Sequence, residues 1–146
     1  MTWQQLISER RVAREPTDRA ESDALRALVR RCVADASIEA LSGDGRFDRA
    51  YAAARTLATM AIRASGYRVK QPAAHYNTFL ALEVADSSTF AGYAAYFDNC
   101  RGLRNQLSYE AIDVVSETDL AELVEKVPEF EREVEAWLNT HHPEVC

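Results

Sequence analysis

Apolar residues recur at three- and four-residue steps along most of the chain, and the periodic stretches are separated by short polar or glycine-containing breaks. Residues 17–42, TDRAESDALRALVRRCVADASIEALS, place Leu25, Leu28, Val29, Cys32, Val33, Ala36 and Ala40 on one helical face. Asp18 and Glu21 have the spacing of a capping box for that helix. GDG at 43–45 interrupts the chain, and Asp44 is placed to cap the next segment, RFDRAYAAARTLATMAIRAS, which meets Gly66 at a C-cap position. GYRVKQP at 66–72 reads as a loop. A shorter helix spans about Ala73 to Ala85, and after DSS a long one covers Thr89 to about Tyr109. SETD at 116–119 is a second capping box, opening a last helix in which Leu120, Leu123, Val124, Val127, Phe130, Val134, Trp137 and Leu138 keep the helical period. Pro128 is expected to kink or split that helix, because proline lacks the amide hydrogen the ladder uses. Residues 2–14 fit a short polar helix that ends before Pro16. The pattern predicts an all-α chain: an N-terminal extension at 1–16, an antiparallel up-and-down bundle of four main helices plus one short helix at 17–140, and a C-terminal tail at 141–146.

Composition agrees with one domain and adds two constraints. A chain of 146 residues with 47% hydrophobic residues, five glycines and four prolines is large enough to bury a core without metal or disulfide staples. It offers no glycine-rich phosphate loop. No stretch approaches the roughly 20 apolar residues of a membrane helix, and the start, MTWQQLISERR, has the wrong polarity for a signal peptide, so a cytoplasmic protein is expected. Cys32, Cys100 and Cys146 have neither CxxC nor Cys/His spacing and read as reduced thiols. His141, His142 and Cys146 belong to a frayed, acidic end rather than to a metal site, and no cofactor is indicated.

The net charge of −6 is unevenly divided. Residues 1–70 hold 13 Lys/Arg against 9 Asp/Glu, whereas residues 71–146 hold 4 against 14. An acidic total argues against affinity for DNA through phosphate neutralisation, but it leaves room for a local basic face.

One stretch stands out against this background. NCRGLRNQLSYE, residues 99–110, lies near the end of the long helix whose stripe is Phe90, Tyr93, Phe97, Cys100 and Leu107. Arg104 falls on that stripe, where a guanidinium is costly unless it is paired or opens to a cleft or subunit interface. Asp98, Arg101, Asn105 and Tyr109, with Ser108 adjacent, form a polar strip beside it. The physical alternative is a salt-bridged helix end, with Asp98 paired to Arg101 and Arg104 extended toward solvent. Tyr93 and Tyr96 flanking Phe97 have the spacing of core aromatics, and Arg26, Arg30 and Arg31 that of a solvated face.

CRGLRNQLSYE resembles the signature of HEPN domains, the higher eukaryotes and prokaryotes nucleotide-binding helical bundles. The preceding run RFDRAYAAARTLATMAIRASGYRVKQPAAHYNTFLAL resembles that family's second helix, GY turn and following histidine, His75 here. The resemblance covers roughly residues 20–138. The family's motif is an arginine, then a polar residue, then a histidine after three more positions; Arg104 and Asn105 match, and Tyr109 stands in the place of the histidine. In HEPN ribonucleases, which need no metal, two such motifs meet across a homodimer. The arginine stabilises phosphate charge there, and the histidine supports attack by the ribose 2′-hydroxyl. A tyrosine, protonated at neutral pH, donates a hydrogen bond but makes a poor base. Five helical residues turn about 500°, which sets Arg104 and Tyr109 about 140° apart, so a site using both needs a bend or a second subunit. The resemblance therefore implies a homodimeric HEPN-like module binding a nucleotide, RNA or protein partner through the Arg-Asn-x-x-x-Tyr face without catalysis. Asp98, Arg101, Ser108 and His75 are the further ligand-binding positions. The alternative is a metal-independent endoribonuclease of a toxin–antitoxin or phage-defence system, with Arg104, Asn105 and Tyr109 catalytic. A nucleotidyltransferase or antitoxin is the protein partner that the family suggests.

Overall fold

A computed structural model describes residues 1–109 and 115–146, and for 107–109 the backbone alone. Among these residues the chain forms six α-helices and one small sheet: α1 (Trp3–Ser8), β1 (Val12–Arg14), α2 (Arg19–Ala36), α3 (Gly43–Ala64), β2 (Tyr67–Val69), α4 (Ala74–Ala85), α5 (Ser87–Tyr109) and α6 (Glu117–His141). A 3-10 turn over Pro143–Val145 follows. The chain is mostly helical, as its periodicity predicts. No described helix is long and apolar enough to cross a membrane.

The helix starts follow capping chemistry. Asp18 accepts from the Glu21 amide at 2.9 Å to open α2, although the Glu21 side chain turns to Arg63 instead of closing the capping box. Ser116 and Asp119 form the complete reciprocal box of α6. For α3 the cap is Ser42, whose hydroxyl accepts from the Gly45 amide at 3.0 Å, two residues earlier than the expected Asp44. Asp44 instead sits in the first turn, where its charge complements the helix dipole. At the far end of α3, Gly66 takes φ +95°, the left-handed geometry that stops a helix.

α3 is the central element, touching α2, α4, α5 and α6. Its small residues Ala50, Ala53, Ala54, Ala58 and Ala61 are all buried, which lets these neighbours approach closely. Around them the aromatic rings interlock: Phe97 lies 4.9 Å from Phe130, Phe90 lies 5.3 Å from Trp137, and Phe79 lies 6.0 Å from Phe97. Tyr93 and Tyr96 join this cluster, with Tyr93 4.9 Å from Phe130, so they are core aromatics rather than a stacking platform. Burial holds the Cys100 thiol up at about 12, and Cys32 is equally enclosed.

Three expectations change on folding. The N-terminal helix ends at Ser8, not near Pro16, and β1 pairs antiparallel with β2, so the stretch read as a loop at 66–72 carries a strand. Val12 stands opposite Val69, and Leu6 and Val12 fill a second small core with Ile62 and Ala81. Strands of three residues carry too little alternation to be read from sequence. The last residues do not fray: α6 reaches His141, and Val145 is 2% exposed against the main core. Finally, α6 runs unbroken through Pro128. Its exposed ring borders a small groove beside Val33, Ala36 and Ser37, while Phe130 and Val134 beyond it hold the helix to the core. Replacing Pro128 by alanine restores one helical hydrogen bond and is expected to stabilise the chain by about 1–2 kcal/mol, less the gain in unfolded-state entropy. Calorimetric melting checks this, and an unchanged or lower melting temperature would count against an unbroken α6.

Candidate functional site

The polar residues of α5 do not stand alone. Arg101 donates through Nε to Asp98 Oδ1 at 2.8 Å, the i, i+3 pair that the strip predicts. Arg104 leaves the apolar seam by crossing to α3, where its Nε donates to Asp48 Oδ1 at 2.9 Å. Its side chain is 34% exposed, so the seam opens to solvent at this point and the charge is not buried.

Each guanidinium also lies over a tyrosine ring. Arg104 sits 5.5 Å from the centroid of Tyr51 on α3, and Arg101 sits 5.4 Å from that of Tyr76 on α4. Arg11, from the segment before β1, lies 5.6 Å from Tyr76 as well. Tyr51 is buried, and its hydroxyl is 3.1 Å from Nδ1 of His75, which opens α4. Three helices thus bring Asp48, Tyr51 and Arg55, His75 and Tyr76, and Asp98, Arg101 and Arg104 into one cluster.

The turn that presents His75 is clamped. Ala73 is held at φ 62°, a left-handed conformation that costs an alanine about 1 kcal/mol, and α4 begins without a side-chain cap. Buried Asn77 holds the turn by donating to the carbonyls of Lys70 and Pro72 at 3.3 and 3.2 Å, and its Oδ1 accepts from Arg11 Nη1 at 2.8 Å.

The field in this cluster is positive. Burial first, then the guanidinium groups of Arg55, Arg104 and Arg101, lower the His75 pKa to about 4, with Asp48 opposing them. Burial raises the Tyr51 phenol to about 12, so it keeps its proton at neutral pH. His75 is therefore neutral when folded at pH 7. Because its folded pKa lies below the unfolded value, the unfolded chain binds more protons between the two, and stability falls as pH drops below about 6.5. From pH 7 to 5 the wild type is expected to lose on the order of 1–2 kcal/mol more than His75→Gln, as measured by denaturant titration at each pH. Equal losses would show that the cluster does not hold His75 neutral.

Among the described residues, neither Arg101 nor Arg104 uses its Nη groups in a hydrogen bond, because each is tethered side-on through Nε. The guanidinium of Arg55 has no hydrogen-bond or ion-pair partner in the same set, and Nε2 of His75 has no hydrogen bond. No buried side-chain nitrogen or oxygen among the described residues lacks a partner, so these groups are open to solvent. Pre-positioned guanidinium forks with free outer faces suit the oxygens of a phosphate or carboxylate.

The sequence-derived positions divide accordingly. Asp98, Arg101, Arg104 and His75 come together, Asn105 is exposed one residue beyond Arg104, and the side chains of Ser108 and Tyr109 lie outside the described residues. Sequence reasoning missed Asp48, Tyr51, Arg55 and Tyr76. The signal for the first three was present: they stand at i, i+3 and i+7, a polar stripe interrupting an alanine-rich helix. Arg26, placed on a solvated face, pairs with Glu135 at 2.7 Å and Asp23 at 2.9 Å, while Arg30 and Arg31 are exposed.

A cavity of about 670 Å³ lies elsewhere, between the start of α3 and the first turns of α6, lined by Leu41, Gly43, Arg46, Leu120 and Val124 among others. Arg46 donates through Nε to the Ala36 carbonyl at 2.8 Å, and Glu117 and Glu125 line the same cavity, so its charge is mixed and suits an anion less well than the α3–α4–α5 cluster. Among the described residues, no group of three or more His, Cys, Asp or Glu is arranged to hold a metal. Comparison of the chain with family models, with characterised proteins and with solved structures finds no match to any of them.

Proposed function

We propose that the chain is a HEPN-like four-helix module that binds a phosphate-bearing ligand, a nucleotide or RNA, at the α3–α4–α5 cluster without cleaving it. The observation that carries this reading is the pair Arg101 and Arg104, each fixed through Nε by a carboxylate and lying over a tyrosine ring, with its outer nitrogens uncommitted among the described residues. Fixing the side chains beforehand lowers the entropy lost when a ligand docks. Exposed Tyr76 adds a ring beside the charges, the combination that single-stranded nucleic acid uses. The motif likeness of Arg104 and Asn105 points the same way and adds a homodimer, with a nucleotidyltransferase or antitoxin as a further partner.

A second reading, metal-independent RNA cleavage, is favoured by one observation: a neutral imidazole, His75, stands within the cluster. Titrating a short single-stranded RNA into the protein at low and moderate salt, with Arg104→Ala in parallel, tests the binding reading. Heat that weakens with salt and with the substitution supports it, and no heat at low salt removes it. The same mixtures, kept free of metal and run on a denaturing gel, decide between the readings. Intact RNA leaves the binding module, whereas cleavage lost in Arg104→Ala establishes the ribonuclease.

A further inference from the structure

His75 is held as an acceptor or donor of one specific kind. Its Nδ1 is 3.1 Å from the Tyr51 hydroxyl, and the two rings are stacked with centroids 5.8 Å apart, so the imidazole has a fixed orientation. Nε2 is the ring atom left for a ligand. The charged and titratable groups acting on it are Asp48, Tyr51 and Arg55 from α3, Tyr76 beside it on α4, and Asp98, Arg101 and Arg104 from α5. Arg49, 3.6 Å from Asp48, adds a fourth guanidinium at the edge. Among the described residues, these four guanidinium groups against the carboxylates of Asp48 and Asp98 leave an excess of two positive charges, and Arg11 over Tyr76 is balanced by its own pair with Glu9. That excess matches a phosphate monoester, which carries close to two negative charges at neutral pH, better than a phosphodiester, which carries one.

Resting on the anion-binding reading above, we infer that His75 belongs to the ligand site, its Nε2–H contacting a phosphate monoester dianion, and that binding adds one proton to its ring. The ligand class is then a nucleoside monophosphate or an RNA bearing a terminal phosphate. A phosphate oxygen without hydrogen only accepts, so in the complex Nε2 carries its hydrogen and, in the neutral ring, the Tyr51 hydroxyl donates to Nδ1. The dianion offsets the guanidinium field that, after burial, keeps the ring neutral. A proton from solvent then enters at Nδ1, and the Tyr51 oxygen changes from donor to acceptor of the same hydrogen bond. No bond to phosphorus forms or breaks.

The test uses the full chain and two probes, 5′-AMP as monoester and the dinucleoside monophosphate ApA as diester. The His75 imidazole resonance, assigned by its loss in His75→Gln, is followed by NMR from pH 7.5 to 5 in free and saturated protein. The inference expects a resonance that stays neutral in the free protein and titrates near or above pH 6 with AMP. It also expects AMP affinity at pH 6 to fall about twofold or more in His75→Gln, the change that raising the His75 pKa from about 4 to 6 or above gives at that pH, and ApA affinity to fall less. If AMP and ApA bind alike and the His75 resonance ignores both, the inference is wrong while the anion site stands. If neither probe binds at low salt, the anion reading fails as well. The wild-type resonance gives the answer even should His75→Gln fold poorly.

Discussion

Replacing Arg63, the one buried charged residue among those described, by alanine is expected to destabilise the fold by about 3 kcal/mol. Arg63 is 5% exposed near the end of α3. Its Nε donates to Glu21 Oε1 at 2.6 Å, its Nη1 to the carbonyls of Glu15 and Tyr67 at 3.0 and 3.1 Å, and its Nη2 to that of Pro16 at 2.9 Å. One side chain thereby ties the N-terminal segment, the first turn of α2 and β2 to the central helix. Alanine leaves three carbonyls and the half-buried Glu21 carboxylate without this donor, and the hydrogen bond that holds Glu21 below the usual carboxylate range disappears. Partial exposure of Glu21, 40%, keeps the loss nearer 3 than 5 kcal/mol, because water re-solvates it. Denaturant unfolding of wild type and Arg63→Ala gives the difference directly. A change below about 1 kcal/mol would mean that these bonds exchange for water at no net cost.

The second large effect is on binding and leaves the fold in place. Removing Arg101 and Arg104 together is expected to weaken a phosphate-bearing ligand by at least tenfold and up to about a thousandfold, since a charge-assisted hydrogen bond contributes about 1.5–3 kcal/mol. Stability should change by less than about 1 kcal/mol per pair, because both ion pairs are partly exposed. The separation of these effects is diagnostic. A side chain kept for structure shows the reverse order, as Arg63 does.

Most of the helical framework was legible because it rests on local rules. Apolar periodicity marked α2 to α6, and Ser116, Asp18 and Gly66 marked where three of them start or stop. What escaped depends on partners distant in sequence. Val12 and Val69 are 57 positions apart, and nothing local in VAR or YRV announces a strand. At Pro128 the helix is kinked at most and not split, the packing of Phe130 and Val134 outweighing the one hydrogen bond that proline denies. The site shows the same division. Asp98 and Arg101 were readable from their i, i+3 spacing, whereas the pairing of Arg104 with Asp48 spans 56 residues and required the fold. His75 was singled out for its likeness to a family position, yet its setting comes from Tyr51, 24 positions earlier on α3.

The account rests on the claim that the outer nitrogens of Arg101 and Arg104 hold an anionic ligand. The most direct measurement is calorimetric titration of 5′-AMP at low salt into wild type and Arg101→Ala/Arg104→Ala, with both proteins shown to melt within a few degrees of each other. Binding by the wild type and its loss in the double variant is the predicted result. Equal affinity in the two proteins, or no binding by the wild type, would contradict it.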